Sequence, residues 1–183
     1  MSGIFWGFFF IFLHFNLNFN GHTLNLLPAF VGYWILVRSM DALSGESELF
    51  GALRPFAIGM AVYTAILWVG DLLAVTSSGP VSMLLGLLST LVSLYIAWGV
   101  SRAVEDMERT RSADLGAVGL RKAWVALAIG EALALLASGV AMLGLGALVL
   151  GILGLVVALV GIVWYLVALW STKTRYEALH VGK

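Results

Sequence analysis

"HFNLNFNGHTLNLLP", residues 14–28, decides how the rest of this chain is threaded. Four asparagines and two histidines, without one formal charge, separate the apolar run "IFWGFFFIFL" from "AFVGYWILV". The two flanking runs, residues 4–15 and 26–37, hold twelve residues each. At about 1.5 Å of rise per residue each makes about 18 Å of helix, against roughly 30 Å of membrane hydrocarbon. Neither crosses alone. Either they borrow length from the asparagine segment and span as residues 4–19 and 26–40, or they form a re-entrant hairpin that dips into the membrane and turns back. Uncharged hydrogen-bonding groups suit both cases, because at membrane depth they are far less costly than charges.

Composition sets the wider frame. The chain of 183 residues is 61% hydrophobic and 11% charged, with a mean hydropathy of +1.01; soluble domains run at roughly 45–50% apolar and about 25% charged. This is an integral membrane protein whose first partner is the lipid bilayer. Cysteine is absent, which excludes disulfides, thiolate metal sites and cysteine nucleophiles. The start of the chain has no Lys or Arg ahead of its apolar run and no small-residue cleavage pattern after it, so it reads as a retained first segment.

Four further stretches, residues 56–75, 81–104, 123–143 and 147–170, have the length and apolarity of spans. The fold class expected is therefore all-α integral membrane, one transmembrane domain over residues 1–183, with six helices of which the first two are short. Basic residues orient it. Arg38 and Arg54 flank one connection, Arg102, Arg109, Arg111, Arg121 and Lys122 occupy another, and Lys173, Arg175 and Lys183 close the chain. All ten fall on one side if both termini are cytoplasmic. That places residues 41–54, 105–122 and 171–183 in the cytoplasm of a cell bounded by this membrane, a bacterial inner membrane. The zero net charge and this clustering make nucleic acid an unsuitable partner.

The polar connections have local signals of their own. In "DALSGESELFGAL", residues 41–53, Ser44 is a candidate helix N-cap with Glu46 and Glu48 near the positive end of the helix dipole, which predicts a helix lying along the inner interface. "SRAVEDMERTRSA", residues 101–113, continues the fourth span as a polar helix, with Glu105–Arg109 and Glu108–Arg111 at pairing distance, before Gly116 and Gly119 loosen the chain.

Small residues predict how the spans pack. Ala147, Gly151, Gly154, Ala158, Gly161, Tyr165 and Ala168 fall at alternating four- and three-residue steps and make one seam on the last span. Ala126, Gly130, Ala134, Ala137 and Ala141 offer a complement on the fifth, which predicts a tight antiparallel pair joined by the short turn "GLG". Ser82, Gly86, Ser89, Ser93 and Ala97 form a similar face on the fourth. Trp6, Trp98, Trp124 and Trp170 sit at expected cytoplasmic borders as belt anchors. Trp34, Trp68 and Trp164, with Tyr33, Tyr63, Tyr95 and Tyr165, lie deeper, as core or pocket wall, where an indole N–H or a phenol needs a partner.

Several polar groups mark a candidate ligand site. Glu131 lies near the middle of the fifth span; an ionised acid there costs on the order of 3 kcal/mol, so it is neutral, paired or facing water. Asp71 belongs to the outer part of the third span, beside "TSSGP". His14, Asn16, Asn18, Asn20 and Asn25 belong to the asparagine segment. The alternation over residues 15–20 has period two: if extended, Asn16, Asn18 and Asn20 share a face, whereas a helix scatters them and an ordinary outer loop would use them as caps and turns. With Trp34 and Trp68 these are the candidate ligand-binding residues. No histidine–acid pair has metal-ligand spacing, and no phosphate-binding loop, nucleophile elbow or zinc-protease helix is present, so no metal, cofactor or catalytic residue is assigned and the chain does not read as an enzyme.

"FNLNFNGHTLNLLPAFVGYWILV" followed by "LSGESELFGALRPFAIGMAVYTAI" resembles a family of small, uncharacterised bacterial multi-pass membrane proteins. Its members share an N-terminal apolar run, an Asn-containing turn, "LLP" and "GY", and a Ser/Glu-rich linker into "RPF" or "KPF". The resemblance covers residues 4–66 and implies location and topology without an activity. Size and six-span layout are also similar, more weakly, to the substrate-binding membrane subunits of energy-coupling-factor importers. Two functions are consistent with all this: capture or transport of a small solute in an outward-facing polar pocket, or a non-catalytic accessory or scaffold that binds a cytoplasmic or membrane partner.

Overall fold

The opening apolar run folds into helix α1 (Ser2–Phe12), which stops where the alternation begins rather than continuing to residue 19. The chain then runs as two short strands, β1 (Asn16–Phe19) and β2 (His22–Asn25), paired antiparallel with Asn16 opposite Asn25 and Phe19 opposite His22. Asn is a poor helix-interior residue, and a period of two fits the pleat of a strand. Helix α2 (Ala29–Leu43) follows Pro28, which holds extended backbone at the helix N-cap. The remaining elements are α3 (Glu48–Leu72), α4 (Pro80–Arg111), α5 (Ala117–Gly139) and α6 (Leu145–Val181). This computed structural model describes residues 1–13, 16–19, 22–25, 28–72, 80–139 and 145–181, with the strands, Asp71 and a few helix-end residues described by backbone alone.

Among the described residues three helical stretches are long and apolar enough to cross a membrane: Glu48–Gly70, Leu84–Arg111 and Leu145–Leu179. They mark the chain as membrane-associated. Helices α1 and α2, of 11 and 15 residues, are too short to cross unaided.

The chain forms two compact units, Met1–Ala103 and Val104–Lys183. In the first, α1 and α2 pack through facing glycines. A Cβ on Gly7 would stand 2.6 Å from the Leu36 side chain, and one on Gly32 would stand 2.6 Å from the Gly7 carbonyl oxygen. Ile4 and Phe8 from α1, Leu36 and Met40 from α2, and Phe50 and Leu53 from α3 are buried. The hinge between α2 and α3 differs from the expected interfacial helix. Ser44 ends α2, donating its hydroxyl to the Asp41 carbonyl at 2.7 Å, and it is Ser47 that precedes α3. Helix α3 passes through Pro55 unbroken, so residues 48–53 are its first turns, and Arg54 reaches back to Asp41 at 3.1 Å.

In the second unit the predicted α5–α6 pair is present. Gly154, Ala158, Gly161 and Tyr165 are buried along one seam of α6. A Cβ on Gly154 would lie 2.7 Å from the Ala134 nitrogen, and one on Gly161 would lie 2.6 Å from the Leu127 nitrogen. Backbones this close gain dispersion contacts that lipid chains do not displace. The connecting residues 140–144 lie outside the described residues. At the polar end, Arg109 pairs with Glu105 at 2.7 Å as expected. Glu108 takes a different role: its Oε1 accepts from the backbone N–H of Leu115 at 2.8 Å and of Ala117 at 2.9 Å, capping the start of α5. The intervening turn uses positive φ at Ser112 and Gly116. Gly119, expected to loosen the chain, lies inside α5.

Candidate functional site

Three elements converge beside the hairpin. Strand β2 lies along α3, and Phe30, in the first turn of α2, meets Trp68 of α3 edge to face with centroids 5.6 Å apart. Trp68 is half-buried there, one turn before Asp71 along α3. One turn further along α2, Tyr33 is buried at 2% exposure and its hydroxyl lies 2.6 Å from Ser93 Oγ of α4. Two hydroxyls sharing one hydrogen satisfy each other in an apolar layer, where an unpaired phenol would be costly. The partner expected for a deep tyrosine is thus a serine from the small-residue face of the fourth span.

The candidate residues divide accordingly. Asn16, Asn18 and Asn25 lie on the paired strands, with Asn18 opposite Thr23. Trp68 and the backbone of Asp71 belong to the segment of α3 that ends near them. His14 and Asn20 lie outside the described residues. Trp34 is not brought to this group: it is 56% exposed, and the Arg38 guanidinium sits over its ring at 5.5 Å. The i, i+4 spacing of a tryptophan and an arginine on one helix face places the ring under the guanidinium. Trp164 and Tyr95, also expected to be deep, are exposed as well. Glu131 belongs to the second compact unit, half-buried on α5 beside the Gly130–Ala158 contact, and no described residue bonds its carboxylate.

Lengths set the geometry. The 11 residues of α1 rise about 16 Å, and the four residues of β1 add about 13 Å at about 3.3 Å each. Neither alone covers the roughly 30 Å of the hydrocarbon layer. A two-stranded hairpin also presents unpaired backbone N–H and C=O groups along both outer edges.

Among the described residues, concavities also lie elsewhere. An apolar groove of about 280 Å³ between α3 and α4 is bounded by Tyr63, Leu88 and Ser89. A larger one, about 560 Å³, lies between the polar end of α4 and the start of α5. In the sequence its Arg121 and Lys122 stand out only as topology signals. No group of three or more potential metal ligands occurs among the described residues. No protein-family model, curated protein or solved structure matches the chain.

Proposed function

We propose that the chain is a six-span membrane protein, both termini cytoplasmic, that binds or carries a small polar solute in an outward-facing recess bounded by the hairpin, the outer end of α3 and the start of α2. The observation that carries this reading is the hairpin between two sub-length helices. If Arg38 marks the inner border, the ten residues from Ala29 to Arg38 rise only about 14 Å, so α2 begins near mid-membrane. The strands then occupy the outer half. Open strand edges at that depth are tolerated only against protein or water, since lipid offers them no hydrogen bonds. A wetted recess meets that need, and amide side chains on Asn16, Asn18 and Asn25 supply both donors and acceptors for an uncharged polar solute.

Native absence of cysteine makes the placement testable. A single Cys at Thr23 should react with an impermeant thiol reagent from outside, and labelling only from the cytoplasm would overturn the topology. Solute binding is tested by thermal unfolding of purified protein against a panel of small solutes. At least one should raise the melting temperature of the parent chain, and Asn18→Ala or Asp71→Asn should abolish that gain. Stabilisation unaffected by both variants would place the solute elsewhere.

The alternative is an accessory or scaffold subunit, and one observation favours it. The polar ends of α4 and α6 form an ordered knob in which Arg175 pairs with Asp114 at 2.5 Å, Arg111 lies over Tyr176 at 5.5 Å and Glu108 caps α5. Such a surface suits a protein partner. Co-purification of one protein that is lost on Arg175→Glu, with no solute effect, would decide for it.

A further inference from the structure

Helix α5 carries two seams side by side. Leu127, Gly130 and Ala134 step by three and four residues along the face that meets Gly161, Ala158 and Gly154 of α6. Shifted by one residue, Trp124, Ala128, Glu131, Leu135 and Ser138 step by alternating four and three, and none of the five is buried. That spacing is the one on which another helix packs at a left-handed crossing. The second seam therefore has the form of a helix-packing face, with a carboxyl group at its centre.

The depth of that carboxyl follows from the α6 contact. A Cβ on Gly130 would meet Ala158, midway along the apolar stretch 147–170 of a helix long and apolar enough to cross a membrane. Glu131 is the next residue, far from either border, where an ionised acid costs on the order of 3 kcal/mol unless it is paired. The chain supplies no cation to pair it. Residues 1–37, 55–101 and 123–172 contain no Lys or Arg, and Lys122 lies nine residues away along α5, a separation of about 14 Å. No described residue bonds the carboxylate.

We infer that the second seam receives a transmembrane helix of another protein, and that this helix presents a basic side chain at the depth of Glu131. The inference rests on the six-span placement of α5 proposed above and is independent of what the hairpin binds. Charge complementarity selects the occupant. A second copy of the chain brings no cation to that depth, because its own apolar stretches hold none. A bare metal ion needs several oxygen ligands. The neighbours one turn either side of Glu131 are Leu127, Ala128, Ala134 and Leu135, and no group of three or more potential metal ligands occurs among the described residues. A cationic solute needs a cavity, and neither concavity described above reaches Glu131. A helix needs none. A lysine carries its ammonium in on an apolar stem, and Ala128 in the seam, with the exposed Ala132 beside it, leaves room for a close backbone approach.

The test uses the full-length protein in lipid bicelles with dansyl-labelled, tryptophan-free leucine–alanine helices of transmembrane length. These carry Lys, Gln or Leu at the centre, and binding is read by energy transfer from the protein's tryptophans. The Lys helix should bind about tenfold tighter than the Leu helix, a difference of roughly 1.4 kcal/mol. Glu131→Gln should remove that advantage without lowering the melting temperature of the protein. Ala128→Leu, which fills the seam and keeps the acid, should weaken binding of both helices. Equal binding of the Lys and Leu helices would overturn the inference, as would a Lys advantage that survives Glu131→Gln. A Gln helix that binds as tightly as the Lys helix would also overturn it, because a hydrogen bond would then suffice without a cation. The placement of α5 is read separately. Ala132→Cys should be shielded from a water-soluble maleimide in intact membranes; labelling there would refute the span itself, whereas shielding together with equal binding would refute only the pairing.

Discussion

Replacing Gly130 by alanine should destabilise the α5–α6 pair, whereas the same change at Gly151 should stabilise it. A Cβ on Gly130 would lie 2.5 Å from the Ala158 Cα and 2.8 Å from its Cβ, with the Ala158 nitrogen closer still. Ordinary contact begins near 3.4 Å, so the helices must part by about 1 Å, and overpacking of this kind costs about 1–3 kcal/mol. Against that, Gly→Ala inside a helix gains about 0.5–1 kcal/mol. The net loss is about 1–2 kcal/mol, or about 2–8 °C at roughly 2–4 °C per kcal/mol for a chain of this size. At Gly151 the nearest atom is the Ala137 Cβ at 3.7 Å, so only the helix gain applies and the melting temperature should rise by about 1–4 °C. Thermal unfolding in one detergent, followed by tryptophan fluorescence, reads both. The opposite signs are the point of the comparison. If Gly130→Ala melts together with Gly151→Ala, the two helices do not approach backbone to backbone and the seam argument fails.

Three further outcomes follow from single contacts. Tyr33→Phe and Ser93→Ala should each lower stability, and the double variant should show a coupling of about 0.6 kcal/mol, up to about 1.7, in a double-mutant cycle; zero coupling would mean the 2.6 Å bond contributes nothing. Glu108→Ala removes the acceptor for two N–H groups at the start of α5, so tryptic cleavage around residues 111–121 should quicken about 5- to 30-fold, as expected for about 1–2 kcal/mol of local opening, with Glu108→Gln intermediate. Thr172 is 1% exposed, and its hydroxyl is buried without a partner among the described residues. Thr172→Val should therefore raise stability by about 1 kcal/mol in the same melting assay, and a fall would show that the hydroxyl has a partner in solution.

What the sequence revealed depended on whether its signal was local and repeated. The α6 seam was legible because Gly154, Ala158 and Gly161 recur at a spacing that only one helix face satisfies. The matching contact in the first unit has a weaker signal, since Gly3 and Gly7 stand four apart on a run too short to repeat the spacing. Ser44 and Ser47 are equally good caps three residues apart; α2 extending to Leu43 decided between them, and that is tertiary information. The hairpin has a local signal beyond the period-two alternation. Asn20-Gly21 lies between alternating apolar residues, the dipeptide preferred in two-residue hairpin connections, and the observed pairing of Phe19 with His22 brackets those two positions. Trp34 was placed by depth alone, whereas Arg38 one turn on was the better guide to its exposure. Glu108 was beyond local reading, since its partners lie seven and nine residues away across a turn.

The hairpin also bears on why α1 and α2 pack as closely as they do. Two helices of 11 and 15 residues bury little surface, and in lipid apolar burial gives them no separate reason to associate. Facing glycines at positions 7 and 32 let the backbones meet, so each short helix gains the dispersion contacts that a longer one would spread over more turns. The contact extends to the hairpin end of both helices: a Cβ on Gly32, one turn into α2, would also stand 2.8 Å from Ile11 Cγ1 and 3.0 Å from the Ile11 nitrogen, in the last turn of α1. The two helices are thus in contact at the ends that face the strands. Strand pairing at about 4.8 Å requires the chain to arrive already close. Widening the gap at Gly7 or Gly32 would tax strand pairing before it unfolded either helix. On the reading proposed above, the recess at the hairpin depends on the glycine contact between the two helices that carry it.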